Sequence, residues 1–121
     1  MLNMMVKRKG LTRLLYATYY SLKGLRAAFL SEAAVRQEVF TMLILIPVTF
    51  LLEVTSIERI LLIMSLMIVL ITELLNTAVE KLCDHVSTDI HLLIGRAKDI
   101  GSAAVFVSLV LACFTWLTIL W

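Results

Sequence analysis

Ile60 to Val79 reads ILLIMSLMIVLITELLNTAV. Twelve of these residues are Leu, Ile or Val, and the only charge is Glu73. At about −0.5 kcal/mol for each aliphatic residue against about +3 kcal/mol for a Glu, the stretch inserts into a bilayer in spite of its acid. As a helix it reaches about 30 Å, the thickness of the hydrocarbon core. A chain built around such a segment is organised by the membrane.

Working outward, residues 100–121 carry no charge and form a further span. Ala97, Gly101, Ala104, Ser108 and Ala112 place small side chains at nearly four-residue spacing, a pattern that lets helices approach closely. Trp116 and Trp121 stand near the last turn, where an aromatic belt forms. On the other side, Val39 to Leu52 is also uncharged. These residues cover only about 21 Å as a helix, so a crossing must begin earlier and take Arg36, Gln37 and Glu38 toward the membrane. Pro47 is a candidate kink. The expected spans are about 33–52, 60–79 and 100–121.

Residues 11–31 are amphipathic. Leu11, Leu14, Leu15, Leu22, Leu25 and Phe29 fall near one helical face, with Arg13, Lys23, Arg26 and three tyrosines between them. Such a helix lies in the interface, its basic side toward anionic head groups. The reading is an all-α membrane protein: a surface helix within 1–31 plus three transmembrane helices, in one domain covering 1–121.

Composition agrees. Of 121 residues, 61% are apolar and 17% charged, against about 45–50% and about 25% in soluble domains. An ordinary soluble enzyme, a disordered chain and a disulfide-rich module are excluded. Cys83 and Cys113 are too few for a disulfide framework. Met1 to Gly10 leads into the amphipathic stretch without the pattern of a cleaved signal peptide.

Six cations, Lys7, Arg8, Lys9, Arg13, Lys23 and Arg26, precede the first acid, Glu32. Beside apolar spans they indicate an anionic membrane face, and no nucleic-acid partner is expected. With Lys81, Arg96 and Lys98 in the 80–99 loop, the positive-inside rule places the N-terminus and that loop in the cytoplasm and the C-terminus outside.

The chemistry concentrates in Glu73–Leu–Leu–Asn76–Thr–Ala–Val–Glu80. Positions i, i+3 and i+7 share a helical face, so two carboxylates and an amide form one stripe, which Asp84 extends. An ionisable group within a span marks a functional site by default. Carboxylates suit Mg²⁺, which is held by one or two of them together with substrate phosphates. A carboxylate near a low-dielectric region can also act as a general base. Glu32 and Glu38 add acids on the same side, and Arg96 and Lys98 can hold phosphates. Acids for metal and bases for phosphate, beside a membrane-embedded acid, point to phosphoryl transfer onto a molecule dissolved in the bilayer. Glycine-rich nucleotide motifs are absent, and neither zinc-ligand spacing nor a Ser–His–Asp pattern is present.

Glu73 to Glu80 fits E-x-x-N-[ST]-A-x-E. Gly95 to Val105 reads GRAKDIGSAAV, Ser21 to Phe29 reads SLKGLRAAF, and Glu32 to Glu38 reads EAAVRQE. Together these resemble the bacterial integral-membrane diacylglycerol kinase family, over about residues 11–121. The resemblance implies a homotrimer of three-span subunits with shared active sites in the bacterial inner membrane. It implies Mg²⁺- and ATP-dependent phosphorylation of diacylglycerol to phosphatidic acid at the cytoplasmic interface. By matching position, Glu73 is the general base and Asn76 supports the catalytic stripe, while Glu32 and Glu80 hold the metal. Arg13, Tyr20, Glu32, Glu80, Asp89, Ile90, His91, Lys98 and Asp99 fall where the family contacts nucleotide. Arg13, Ser21, Arg26, Glu38, Glu73, Ser102 and Trp116 fall where it contacts the lipid. The family commonly carries Glu-Tyr-His where this chain has Asp89-Ile90-His91, and Trp where it has Leu22.

Three other readings compete. A kinase of the same architecture would act on another lipid alcohol, such as undecaprenol. A small channel or transporter would use Glu73 in an ion path. A membrane anchor would do neither.

Overall fold

The computed structural model describes residues 9–86 and 91–121, and for His91 the backbone alone. Among them there are four helices and no strand. These are α1 (Gly10–Ser31), α2 (Ala33–Thr49), α3 (Ser56–His85) and α4 (His91–Leu120).

Helix α1 matches the amphipathic stretch. Its leucine stripe is bare, with Leu11, Leu14, Leu15 and Leu22 all more than 60% exposed, and Ala28 is its only buried residue. The chain breaks at Glu32, whose backbone is extended (φ −119°, ψ 117°). There Arg36 donates from Nη1 to the carbonyls of Phe29 (2.8 Å) and Leu30 (3.0 Å). It thereby satisfies two of the acceptors that a helix end leaves open.

Helix α2 passes through Pro47 and stops at Thr49, short of the expected Leu52. Proline removes one ladder bond, and a turn follows, with Phe50 N donating to Pro47 O (3.1 Å) and Leu51 N to Val48 O (2.9 Å). Arg59 reaches back from α3 and donates from Nε to the Thr49 carbonyl at 3.0 Å, its guanidinium 5.3 Å from the Phe50 ring centroid. The 17 residues of α2 make a helix of about 25 Å.

Helices α3 and α4 are long and apolar enough to cross a membrane. Each has 30 residues, or about 45 Å, longer than the roughly 30 Å hydrocarbon core. Here the structure corrects the expected start of the second span at 60 and the expected 80–99 loop. Helix α3 begins at Ser56 behind a capping box, with Thr55 Oγ1 accepting from Glu58 N (3.1 Å) and Glu58 Oε1 accepting from Thr55 N (2.9 Å). Residues 80–85 and 91–99 are helical as well. Hydropathy locates the apolar segment of a helix, whereas caps set where the helix ends.

Packing centres on α3. Leu62, Ser65, Leu66, Val69, Asn76 and Thr77 are buried in one stripe at helical spacing. Val35, Met42 and Thr49 of α2 are buried too, as are Ser108 and Ala112 of α4. Many of these side chains are small. In lipid the association of helices rests on close packing and hydrogen bonds, since acyl chains are as apolar as leucine. The stripe also fixes the site, because Glu73 occupies it between Val69 and Asn76.

Candidate active site

Glu73, Asn76 and Glu80 project from α3 as the spacing predicts. Asn76 donates from Nδ2 to Glu80 Oε1 at 3.1 Å. The carboxylates of Glu80 and Glu32 lie close enough to Glu73 to act on it electrostatically, and Glu73 acts likewise on Glu38. The break at Glu32 is what brings α1 and α2 to this stripe. Glu32 flanks both helices, yet its side chain caps neither. Its Oε1 instead stands 3.8 Å from Lys81 Nζ on α3.

Three buried side-chain atoms have no hydrogen-bond partner among the described residues: Tyr20 Oη, Glu38 Oε1 and Asn76 Oδ1. Buried polar atoms are satisfied as a rule. Asn76 and Glu38 belong to the carboxylate stripe, through Glu80 and Glu73 respectively, while Tyr20 lies on α1 among Tyr16 and Tyr19. Four carboxylates and an asparagine form a hard, oxygen-rich surface. Among the described residues no three His, Cys, Asp or Glu side chains converge into a complete metal nest. Mg²⁺ needs only one or two carboxylates when phosphate oxygens complete its shell, and Glu32 and Glu80 both flank Glu73.

A groove of 560 Å³ runs between α1 and α3, lined by Ser21, Gly24, Ala28, Leu74, Thr77 and Lys81 among others. Its walls are almost wholly apolar, which suits an acyl chain. Ser21 lies on it and donates from Oγ to the Ala17 carbonyl of its own helix at 2.8 Å.

Other expected site residues lie on α1 and α4. Lys98 on α4 pairs with Asp84 on α3, Nζ to Oδ1 2.7 Å. Both lie outside the apolar stretches 60–79 and 100–121. The hydrogen bond from Lys98, and then its charge, holds the Asp84 carboxyl below the usual range, and the same bond raises the Lys98 ammonium. Asp99 and Ser102 are exposed on α4, as are Arg13 and Arg26 on α1. Trp116 donates from Nε1 to Ser65 Oγ at 3.1 Å, and Ser65 is about 12 Å along α3 from Glu73. Asp89 and Ile90 lie outside the described residues, and the side chain of His91 is not described. Cys83 and Cys113 are both free.

Sequence reading leaves the partners of three residues open. Lys81 was a loop charge, Gly101 one small residue among several, and Asp84 an extension of the acid stripe. Each acts through a contact between helices, for which spacing along one helix gives no signal.

The family model for prokaryotic diacylglycerol kinase matches residues 19–120. A diacylglycerol kinase of Escherichia coli (strain K12) is 47% identical over 93% of this chain and 92% of its own length. One from Haemophilus influenzae is 51% identical over 93% and 95%, and one from Pseudomonas aeruginosa is 53% identical over 92% and 90%. Agreement of this depth across nearly the whole length, with the carboxylate stripe inside the matched region, means that the chain belongs to the prokaryotic diacylglycerol kinase family.

Proposed function

We propose that this lipid kinase transfers the γ-phosphoryl group of ATP to the free hydroxyl of diacylglycerol, giving phosphatidic acid and ADP. The observation that carries the reading is the coincidence of the unsatisfied buried atoms of Glu38 and Asn76 with the carboxylate cluster, on the helix that also lines an apolar groove. A water-soluble anion and an apolar chain meet at one place. The names of the relatives point to the same substrate.

In this reading Glu73 accepts the proton of the lipid hydroxyl as its oxygen bonds to the γ-phosphorus and the bond to ADP breaks. Asn76 holds Glu80 in place through its amide. Glu32 and Glu80 hold Mg²⁺, which neutralises phosphate charge. Arg13, Tyr20, Lys98, Asp99 and the Asp89–Ile90–His91 segment contact the nucleotide. Arg26, Ser21, Ser102, Trp116 and Glu38 contact the lipid. Phosphoryl transfer depends mainly on positioning and charge neutralisation, so a short chain suffices when copies share sites.

The same proposal covers assembly and topology. The bare leucine stripe of α1 and the exposed Phe106 and Phe114 of α4 (67% and 66%) suit lipid and neighbouring subunits. We take the protein as a homotrimer in the bacterial inner membrane with α2, α3 and α4 as its spans. The N-terminus and the connection before α4 are then cytoplasmic and the C-terminus is outside.

The test is transfer of labelled phosphate from MgATP to diacylglycerol in mixed micelles, beside undecaprenol. Transfer to diacylglycerol supports the proposal. Transfer to undecaprenol alone reassigns the substrate. No transfer from folded protein, with proton or ion flux in liposomes, replaces the kinase with an ion path.

A further inference from the structure

Among the described residues Lys81 is the cation that forms an ion pair with a proposed metal carboxylate. It stands on α3 directly after Glu80, its Nζ 3.8 Å from Glu32 Oε1, and its side chain is 53% exposed. It also lines the groove between α1 and α3, opposite Ser21. These placements make three demands on one ammonium. With Glu32 free it has a carboxylate partner. Once a divalent cation sits on Glu32, that carboxylate is shared with a doubly charged ion, and the ammonium is repelled. The groove beside it gives a long, flexible side chain room to move, and an incoming phosphate brings the negative charge that replaces Glu32.

We infer that Lys81 is a phosphate-binding residue that neutralises Glu32 in the empty site and moves to a substrate or product phosphate when the metal arrives. The inference rests on the metal role proposed for Glu32 and Glu80. Its consequence is a trade between two affinities. With Lys81 in place, the empty protein resists a bare divalent ion and accepts one that comes with phosphate. A cation that only pinned α1 to α3 would not couple the two.

The experiment compares wild type, Lys81→Met and Lys81→Arg in detergent micelles, with Glu32→Gln as the control. Mn²⁺ binding to nucleotide-free protein is followed by electron paramagnetic resonance, and binding of Mg²⁺ with a non-hydrolysable ATP analogue by calorimetry. Inhibition by short-chain phosphatidic acid is measured in parallel, to separate a nucleotide phosphate from a lipid one. Lys81→Met is expected to bind Mn²⁺ about three- to fivefold tighter, the scale of an exposed ion pair. It should bind the analogue or phosphatidic acid about tenfold more weakly, the scale of a charge-assisted contact. Lys81→Arg restores both. Unchanged Mn²⁺ affinity in Lys81→Met overturns the inference, and so does unchanged affinity for both phosphate ligands. If wild type and Glu32→Gln bind Mn²⁺ alike, the metal assignment itself fails, and this inference with it.

Discussion

Gly101 on α4 lies directly against the side-chain amide of Asn76 on α3: a Cβ built on the glycine would fall on Asn76 Oδ1. The same amide donates from Nδ2 to Glu80. A glycine on one helix thus sets the position of a site residue on another, and through it the orientation of a proposed metal carboxylate.

Gly101→Ala tests this relationship. The added methyl must displace Asn76 or separate α3 from α4, and overpacking of this kind costs about 1–3 kcal/mol. Activity should fall much further than stability, by about tenfold or more, because the displaced amide releases Glu80. Thermal unfolding in detergent and phosphotransfer measured on the same preparation check this. Parallel losses would make Gly101 a packing residue only.

Glu73→Gln keeps the size of the side chain and removes its proton-accepting capacity. Loss of a general base costs about 10²- to 10⁴-fold. Turnover should fall within that range while helicity and micelle assembly stay at wild-type levels. Turnover close to wild type would return Glu73 to a structural role.

How far the sequence reveals these features depends on distance along the chain. The leucine spacing of α1 predicts a helix over 11–31, and Gly10–Ser31 is observed. Glu73, Asn76 and Glu80 share a face because seven residues make nearly two turns. The start of α3 was also readable, since Thr55-Ser-Ile-Glu58 has the form of a capping box, but hydropathy alone places the helix later. Contacts between helices were not readable. That Lys81 meets Glu32, that Lys98 meets Asp84 and that Gly101 receives Asn76 depend on how four helices pack, and side-chain pattern along any one of them leaves that open.

The Asp84–Lys98 pair carries a pH dependence. The folded-state pKa of Asp84 is lowered, so its contribution is present above the ordinary carboxylate range and lost as pH falls through the lowered value. That of Lys98 is raised, so its contribution is present below the ordinary lysine range and lost as pH rises through the raised value. The pair therefore joins α3 to α4 across the neutral range. Both groups face water, so the effect is small and screened by salt. Asp84→Asn should lower the unfolding midpoint slightly at neutral pH and low salt, and not in acid or in about 1 M salt, where the Debye length is about 3 Å. The same deficit at every pH and salt concentration would show that the pair is not what Asp84 contributes.

The bond between Trp116 and Ser65 separates a structural from a lipid-contacting role at the far end of the bundle. Trp116 Nε1 donates to Ser65 Oγ, whose own hydroxyl donates to the Leu62 carbonyl at 2.7 Å, so the tryptophan completes a chain of bonds joining α4 to α3. Hydrogen bonds between membrane helices contribute about 0.6 kcal/mol on average and at most about 1.7 kcal/mol, because the separated helices also find partners. Trp116→Phe and Ser65→Ala should each destabilise the protein modestly. In a double-mutant cycle their effects should couple within that range, with the Michaelis constant for diacylglycerol unchanged in Ser65→Ala. If Trp116→Phe raises that constant while the cycle shows no coupling, the indole acts on the lipid and its bond to Ser65 is incidental.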